Sequence, residues 1–296
     1  MRRKILGIFV FLAFAQVCFA QAASQKAPLP PNVQERRLTS KLMGREMPYR
    51  VILPVKYDLN KDARYPVIYL LHGLTGHYNN WTELSKLVDH ATGFDTILIT
   101  PEGENGWYTD HTSMPDEKWE SYIISELIPE IDKNFRTISS RDKRAIAGLS
   151  MGGYGSIKFG LKYPDKFITV GSFSGALGAA SYTEKLIPGA IGKTIDGIFG
   201  PVGSDTRKSN DIFEIVRSLN PEKTKALPFI YLDCGTEDFL FQNNREFVSL
   251  LIEKKVPHEY RQLPGTHNWK YWDQQVQEFL RVADRAFNSQ GVVGTR

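Results

Sequence analysis

Short, nearly unbroken apolar runs recur from residue 49 onward, with longer amphipathic stretches between them. The runs are YRVILP (49–54), YPVIYLLHG (65–73), DTILITPEG (95–103), KRAIAGLS (143–150), FITVGSFSG (167–175), PFIYLDCG (228–235) and HEYRQLP (258–264). Segments 79–90, 115–136, 151–163, 240–255 and 269–287 carry the spacing of amphipathic helices. Apolar runs of this kind predict strands buried on both faces, and their alternation with helices predicts an α/β fold with a mostly parallel sheet. In such sheets chemistry gathers at the carboxyl ends of the strands. Three of those ends are unusual: His72-Gly73, the glycine-rich stretch Gly148 to Gly153, and the loop after Cys234. Residues 176–227 lack a clean strand and read as a short insertion over the site, with one helix at 209–218.

The first residues follow a different pattern. Arg2, Arg3 and Lys4 precede the apolar run Ile5 to Phe14, and Cys18-Phe19-Ala20 places small residues at the −3 and −1 positions of a cut after Ala20. This is the pattern of a secretory signal peptide over residues 1–20. The apolar run is short for a membrane span of ~20 residues. Ala15, Gln16 and Val17 also lack the small residue that a lipidated Cys18 would need immediately before it. Residues 21–39 are read as a flexible leader, 40–288 as one domain, and 289–296 as a flexible tail.

Removing the signal peptide changes the charge picture. The formal +4 of the 296-residue chain falls to near neutrality, so nothing in it calls for nucleic acid or an anionic membrane as partner. Only Cys234 remains, which excludes an intramolecular disulfide and leaves stability to the core. The expected location is therefore periplasmic or extracellular, with no stable membrane insertion after cleavage.

The stretch AIAGLSMGGYGS (145–156) places four glycines where a helix is about to begin. A glycine inside a helix costs roughly 1 kcal/mol relative to alanine, so the space must be needed. Gly148-Leu149-Ser150-Met151-Gly152, between a buried strand and a helix, has the form of a nucleophile elbow. The turn is so tight that a Cβ two residues either side of Ser150 would collide with its surroundings. It also sets the Met151 N–H at a helix start, where it can donate to an oxyanion. The plain alternative is a glycine-rich turn with an incidental serine.

A serine hydroxyl needs a base. In this architecture the order along the chain is Ser, acid, His, and of six histidines only His258 and His267 lie downstream. His258 precedes the last apolar run and falls at its wrong end, whereas His267 follows it in PGTHNW, on the face where Ser150 emerges. The acid should follow FIYLDCG. Asp233 lies inside that strand, Asp238 sits past the turn, and Glu237 is the reserve candidate. An acid here could also simply cap the following helix. LLHGLTG offers a second oxyanion donor in the Leu74 N–H, unless His72-Gly73 is only a strand-ending turn. The histidines show no metal-ligand spacing with cysteines or paired carboxylates, so no metal is expected. Trp107, Tyr108 and Trp269 lie in loops expected to face the site and to wall an apolar acyl group.

Together LLHGLTGHYNNW, PEGENGWYTD, AIAGLSMGGYGS, GTEDFL and GTHNWKYW, in this order, resemble the esterase D-like branch of the α/β-hydrolases. That branch includes tributyrin-type, feruloyl and acetylxylan esterases, S-formylglutathione hydrolases and mycolyltransferases, and the resemblance covers roughly residues 40 to 287. It implies a triad of Ser150, Asp238 and His267, oxyanion donors at Leu74 and Met151, and a loop Gly106-Trp107-Tyr108-Thr109 lining the acyl site. Export does not suit glutathione thioester chemistry, and no lining for a long lipid tunnel is identifiable in 176–227. The expectation is a secreted serine carboxylesterase without cofactor, acting on short-chain acyl esters, small or polysaccharide-linked, including acetyl or feruloyl esters. The rivals are an acyltransferase and a non-catalytic carbohydrate-binding protein on the same fold.

Overall fold

The computed structural model describes residues 28–183 and 190–289. The expected signal peptide, the leader up to residue 27 and the tail from residue 290 lie outside the described residues. Eight strands form one sheet in the order β1-β2-β4-β3-β5-β6-β7-β8. They are β1 (Val33–Ser40), β2 (Arg45–Ile52), β3 (Val67–Leu71), β4 (Ile97–Pro101), β5 (Arg144–Leu149), β6 (Thr169–Phe173), β7 (Phe229–Gly235) and β8 (His258–Leu263). β1 and β2 form an antiparallel hairpin and β2 runs antiparallel to β4, while every pairing from β4 to β8 is parallel. Each of the seven apolar runs becomes a strand.

β1 is the strand that the sequence pattern hid. VQERRLTS falls in the stretch read as leader, yet it pairs along its whole length with β2. Its side chains are mostly exposed or half-buried, as an edge strand with little core contact requires, so it carries no apolar run. Residues 33–39, read as leader, thus pair into the sheet.

The central strands bury both faces, and alternate residues serve different cores. In β3, Val67, Tyr69 and Leu71 join one cluster while Ile68 and Leu70 join the other. The second cluster is closed by the C-terminal helix Trp269–Asn288, whose Val276, Phe279, Leu280, Ala283 and Phe287 follow helical spacing. The Phe279 ring lies 5.9 Å from Phe173 and 6.0 Å from Tyr231, and a Cβ on Gly171 would come within 2.5 Å of it. The first face is covered by the helices Ile128–Asn134, Met151–Lys162 and Phe241–Glu253. Segment 115–136 is helical from Trp119 to Asn134, with a π-helical stretch at Tyr122–Leu127, and 79–90 resolves into the short helices Asn80–Glu83 and Leu87–Ala91. No helix among the described residues is long and apolar enough to cross a membrane.

Segment 176–227 differs from expectation in form and place. Its described part folds into helices Ala190–Phe199, Asp205–Asn210, Ile212–Arg217 and Pro221–Ala226. The single helix expected at 209–218 is split at Asp211, whose carboxylate caps the next helix by accepting from the N–H groups of Phe213 and Glu214. Phe199 packs on Tyr154 and Trp107, and Phe213 packs 5.1 Å from Phe247. Its apolar face is thus spent on the core beside the Met151–Lys162 helix.

Candidate active site

β5 passes into the helix Met151–Lys162 through a single residue. Ser150 holds φ 52° and ψ −114°, a strained conformation for a side chain with a Cβ. The crowding around it explains the glycines. A Cβ on Gly148 would stand 2.4 Å from the Gly152 carbonyl carbon, and one on Gly152 would stand 2.6 Å from the carbonyl oxygens of Leu71 and His72. The strand ends of β3 and β5 and the helix start therefore meet at van der Waals limits, and the serine is fixed between them. Its N–H donates to the Phe173 carbonyl at 3.0 Å.

Two loops bring partners to that hydroxyl. His267 follows β8, and its Nε2 lies 3.0 Å from Ser150 Oγ. Its Nδ1 lies 2.8 Å from Oδ2 of Asp238, which follows β7. The other carboxylate oxygen of Asp238 accepts the Leu240 N–H at 2.8 Å. Burial pushes the Asp238 pKa up, but the hydrogen bonds from His267 and Leu240 outweigh it and hold the carboxyl below its usual range. The carboxylate is thus kept ionised next to the ring it orients. His258 lies at the opposite end of β8, bonded to the Val256 carbonyl at 2.8 Å.

The competing acids are occupied elsewhere. Glu237 accepts from the Thr236 hydroxyl and the Gly265 N–H, tying two loops together at the surface. Asp233 is fully buried on the strand, where burial pushes its carboxyl well above the ordinary range.

Met151 is the first residue of its helix, so its N–H has no partner from within the helix. Leu74 follows Gly73, where an added Cβ would come 3.4 Å from the Ser150 Cβ and 2.6 Å from Leu149 Cδ1. The 73–76 loop consequently lies beside Ser150 and lines the same cavity. It is braced from beneath by His72, whose Nε2 lies 3.1 Å from Glu102 Oε1, and by Asn105, whose Oδ1 accepts the Thr75 N–H at 2.7 Å. Burial raises the Glu102 pKa, but bonds from His72 and from the N–H groups of Glu104 and Gly103 hold it at about 2.

A cavity of about 650 Å³ opens beside Ser150, between Leu74, Leu149, Phe239, His267, Trp269 and Trp272 among others. Trp269 is part of this wall, as expected. Trp107 and Tyr108 are not. Both are buried, with φ of 51° and 49°, and Tyr108 packs against Gly103 and Gly155 with its hydroxyl donating to the His72 carbonyl. The loop turns its rings inward because Lys158, fully buried on the Met151–Lys162 helix, donates to the Tyr108 carbonyl at 2.7 Å and to Thr109 Oγ1 at 2.6 Å. The Lys158 ammonium is paired with Glu120 at 2.8 Å. No described residue of 176–227 lines the cavity. Among the described residues no group of three or more His, Cys, Asp or Glu side chains is placed to hold a metal ion.

The sequence pattern missed His72 and Glu102 as braces, Lys158, and Phe239 on the cavity rim. A lysine inside an apolar helix face and a phenylalanine placed directly after the candidate acid were the available signals.

The family model described as "Putative esterase" matches residues 40–282. An acetyl esterase of Caldicellulosiruptor saccharolyticus is 30% identical over 251 residues, covering 80% of this chain and 92% of that protein. An esterase of Mycobacterium tuberculosis is 28% identical over 80% of this chain, which spans 56% of that protein's length. Among solved structures, a ferulic acid esterase superposes with a TM-score of 0.75 at 30% identity, covering 86% of this chain and 98% of that one.

Proposed function

Since the chain belongs to this esterase family and is a carboxylic ester hydrolase, we propose that it acts as an exported serine esterase on short-chain acyl esters, including acetyl or feruloyl groups carried by plant polysaccharide. The observation that supports this most is the relay from Ser150 Oγ to His267 Nε2 at 3.0 Å and from His267 Nδ1 to Asp238 at 2.8 Å. His267 takes the Ser150 proton as the hydroxyl oxygen attacks the ester carbonyl. The N–H groups of Leu74 and Met151 stabilise the oxyanion of the tetrahedral intermediate. His267 then returns the proton to the leaving alcohol, and a water activated by the same ring releases the acid. Asp238 holds the ring in the tautomer that leaves Nε2 free to accept.

The cavity beside Ser150, lined by the 73–76 loop but by no described residue of 176–227, favours a small acyl group on a bulky alcohol. The acetyl esterase and ferulic acid esterase relatives support the same substrate range. Export is supported by the Arg2-Arg3-Lys4 start, the apolar run to Phe14 and the small residues before the cut at Ala20. A fluorophosphonate probe should label the wild-type protein at Ser150 and leave Ser150→Ala unlabelled. Labelling of the variant, or hydrolysis of p-nitrophenyl acetate by it at near wild-type rate, would rule the nucleophile out.

A further inference from the structure

Phe239 is 78% exposed, an unusual state for a phenylalanine, and its ring centre lies 4.6 Å from that of His267. The turn that presents it is rigid. Asp238 N–H donates to the Gly235 carbonyl, Leu240 N–H to the Asp238 carboxylate, and Phe241 N–H to the Asp238 carbonyl. The residue that follows the acid is thereby fixed on the rim of the cavity, with one side toward the catalytic ring and the rest toward solvent.

Its position relative to the reaction follows from proton transfer. His267 Nε2 must deliver its proton to the oxygen of the departing alcohol, so the alcohol half of the ester lies on the histidine side of Ser150. That is the side where Phe239 stands. Thr75 and Asn268, both exposed, and the half-buried Asn80 also line the cavity. An exposed aromatic face beside hydroxyl and amide groups suits a pyranose ring, whose C–H face packs on the aromatic ring while its hydroxyls bond to polar neighbours. We infer that Phe239 is a specificity-determining residue that stacks against the sugar ring of an acylated carbohydrate. This rests on the esterase reading above and names the alcohol that the site prefers.

The test compares two acetates that differ only in the alcohol. The kcat/KM for glucose pentaacetate is divided by that for vinyl acetate, whose leaving group is too small to reach Phe239. Phe239→Ala should lower this ratio about tenfold, chiefly through KM, and Phe239→Trp should restore it. Loss of stacking on His267 would lower both acetates together and leave the ratio unchanged, which would overturn the inference. A second pair, methyl ferulate and methyl acetate, holds the alcohol constant. If Phe239→Ala lowers the ferulate-to-acetate ratio and spares the sugar ratio, Phe239 serves the acyl group and the assignment falls. Hydrolysis of vinyl acetate by the wild type is a separate readout: its absence would count against the esterase reading itself.

Discussion

The Tyr108 hydroxyl donates a 3.0 Å hydrogen bond to the main-chain carbonyl oxygen of His72, the residue just before the loop that lies beside Ser150. An aromatic expected to touch substrate instead braces the strand end that leads to Leu74, the proposed oxyanion donor. Tyr108→Phe keeps the ring and removes only this bond. The variant should lose about 1 kcal/mol of stability and lower kcat by about tenfold with little change in KM, because donor alignment matters most in the transition state. Steady-state kinetics beside a denaturation curve will check this. An unchanged kcat with lowered stability would leave Tyr108 a purely structural residue.

Ser150→Ala and His267→Ala should each lower ester hydrolysis on the order of 10⁴-fold or more, since the members of such a relay act as a unit. His258→Ala should stay within a few-fold of wild type, because its ring bonds only to the Val256 carbonyl at the far end of β8. Turnover of p-nitrophenyl acetate by the three purified variants separates these outcomes.

The acid can be tested against its neighbour. Asp238→Asn should lower turnover by ~10⁴-fold, since an amide does not hold the imidazole in the required tautomer. Glu237→Gln should affect stability more than rate, as its carboxylate joins Thr236 to Gly265 and touches neither His267 nor Ser150. Greater loss of turnover from Glu237→Gln would exchange their roles.

The parts of this molecule readable in the sequence are those with local causes. Gly148 and Gly152 betray the elbow because only a collision explains glycine there, and β7 advertises itself by burying an apolar run. Asp238 and His267 are legible because each follows a strand that ends on the Ser150 side. What escaped was set by contacts distant in sequence. β1 is polar because its neighbour on one side is solvent. The inward turn of Trp107 and Tyr108 depends on Lys158, some 50 residues away, and on the space left by Gly155. The position of 176–227 likewise depends on the aromatic surface formed by Tyr154, Trp107 and Phe247, which no periodicity within the insertion reveals.

Glu102 gives a pH dependence with a definite sign. Its folded pKa of about 2 is below the ordinary 4.5, so its stabilising contribution is full above about pH 4.5 and is lost as pH falls toward 2. A shift of that size in a buried group corresponds to on the order of 3 kcal/mol. Glu102→Gln should therefore be markedly less stable than wild type at pH 7, and the gap should narrow steadily between about pH 4.5 and pH 2. Urea denaturation at a series of pH values measures it. A gap that stays constant across this window would mean that the carboxylate's charge contributes nothing to holding His72 and the 102–104 turn.

The acyl preference follows from what the cavity contains and what it lacks. Its floor and walls near Ser150 are apolar, with Leu74, Leu149, Trp269 and Trp272 close to the nucleophile. Burying each methylene of an acyl chain against such a surface is worth about 0.8 kcal/mol, so the first few carbons should improve binding. Beyond them the chain needs a covered channel. Segment 176–227, expected to roof the pocket but not to build a long channel, packs its described helices on Trp107, Tyr154 and Phe247, and none of its described residues lines the cavity. Trp107 and Tyr108, expected as walls of the acyl pocket, are buried in the core. A twelve-carbon tail would therefore run out along an open rim and stay largely in water, gaining little per added methylene. With p-nitrophenyl esters, kcat/KM should peak at about two to six carbons and exceed the twelve-carbon ester roughly tenfold or more. A profile that keeps rising to twelve carbons would require a covered lipid channel, and would point to a lipase or a long-chain acyltransferase instead.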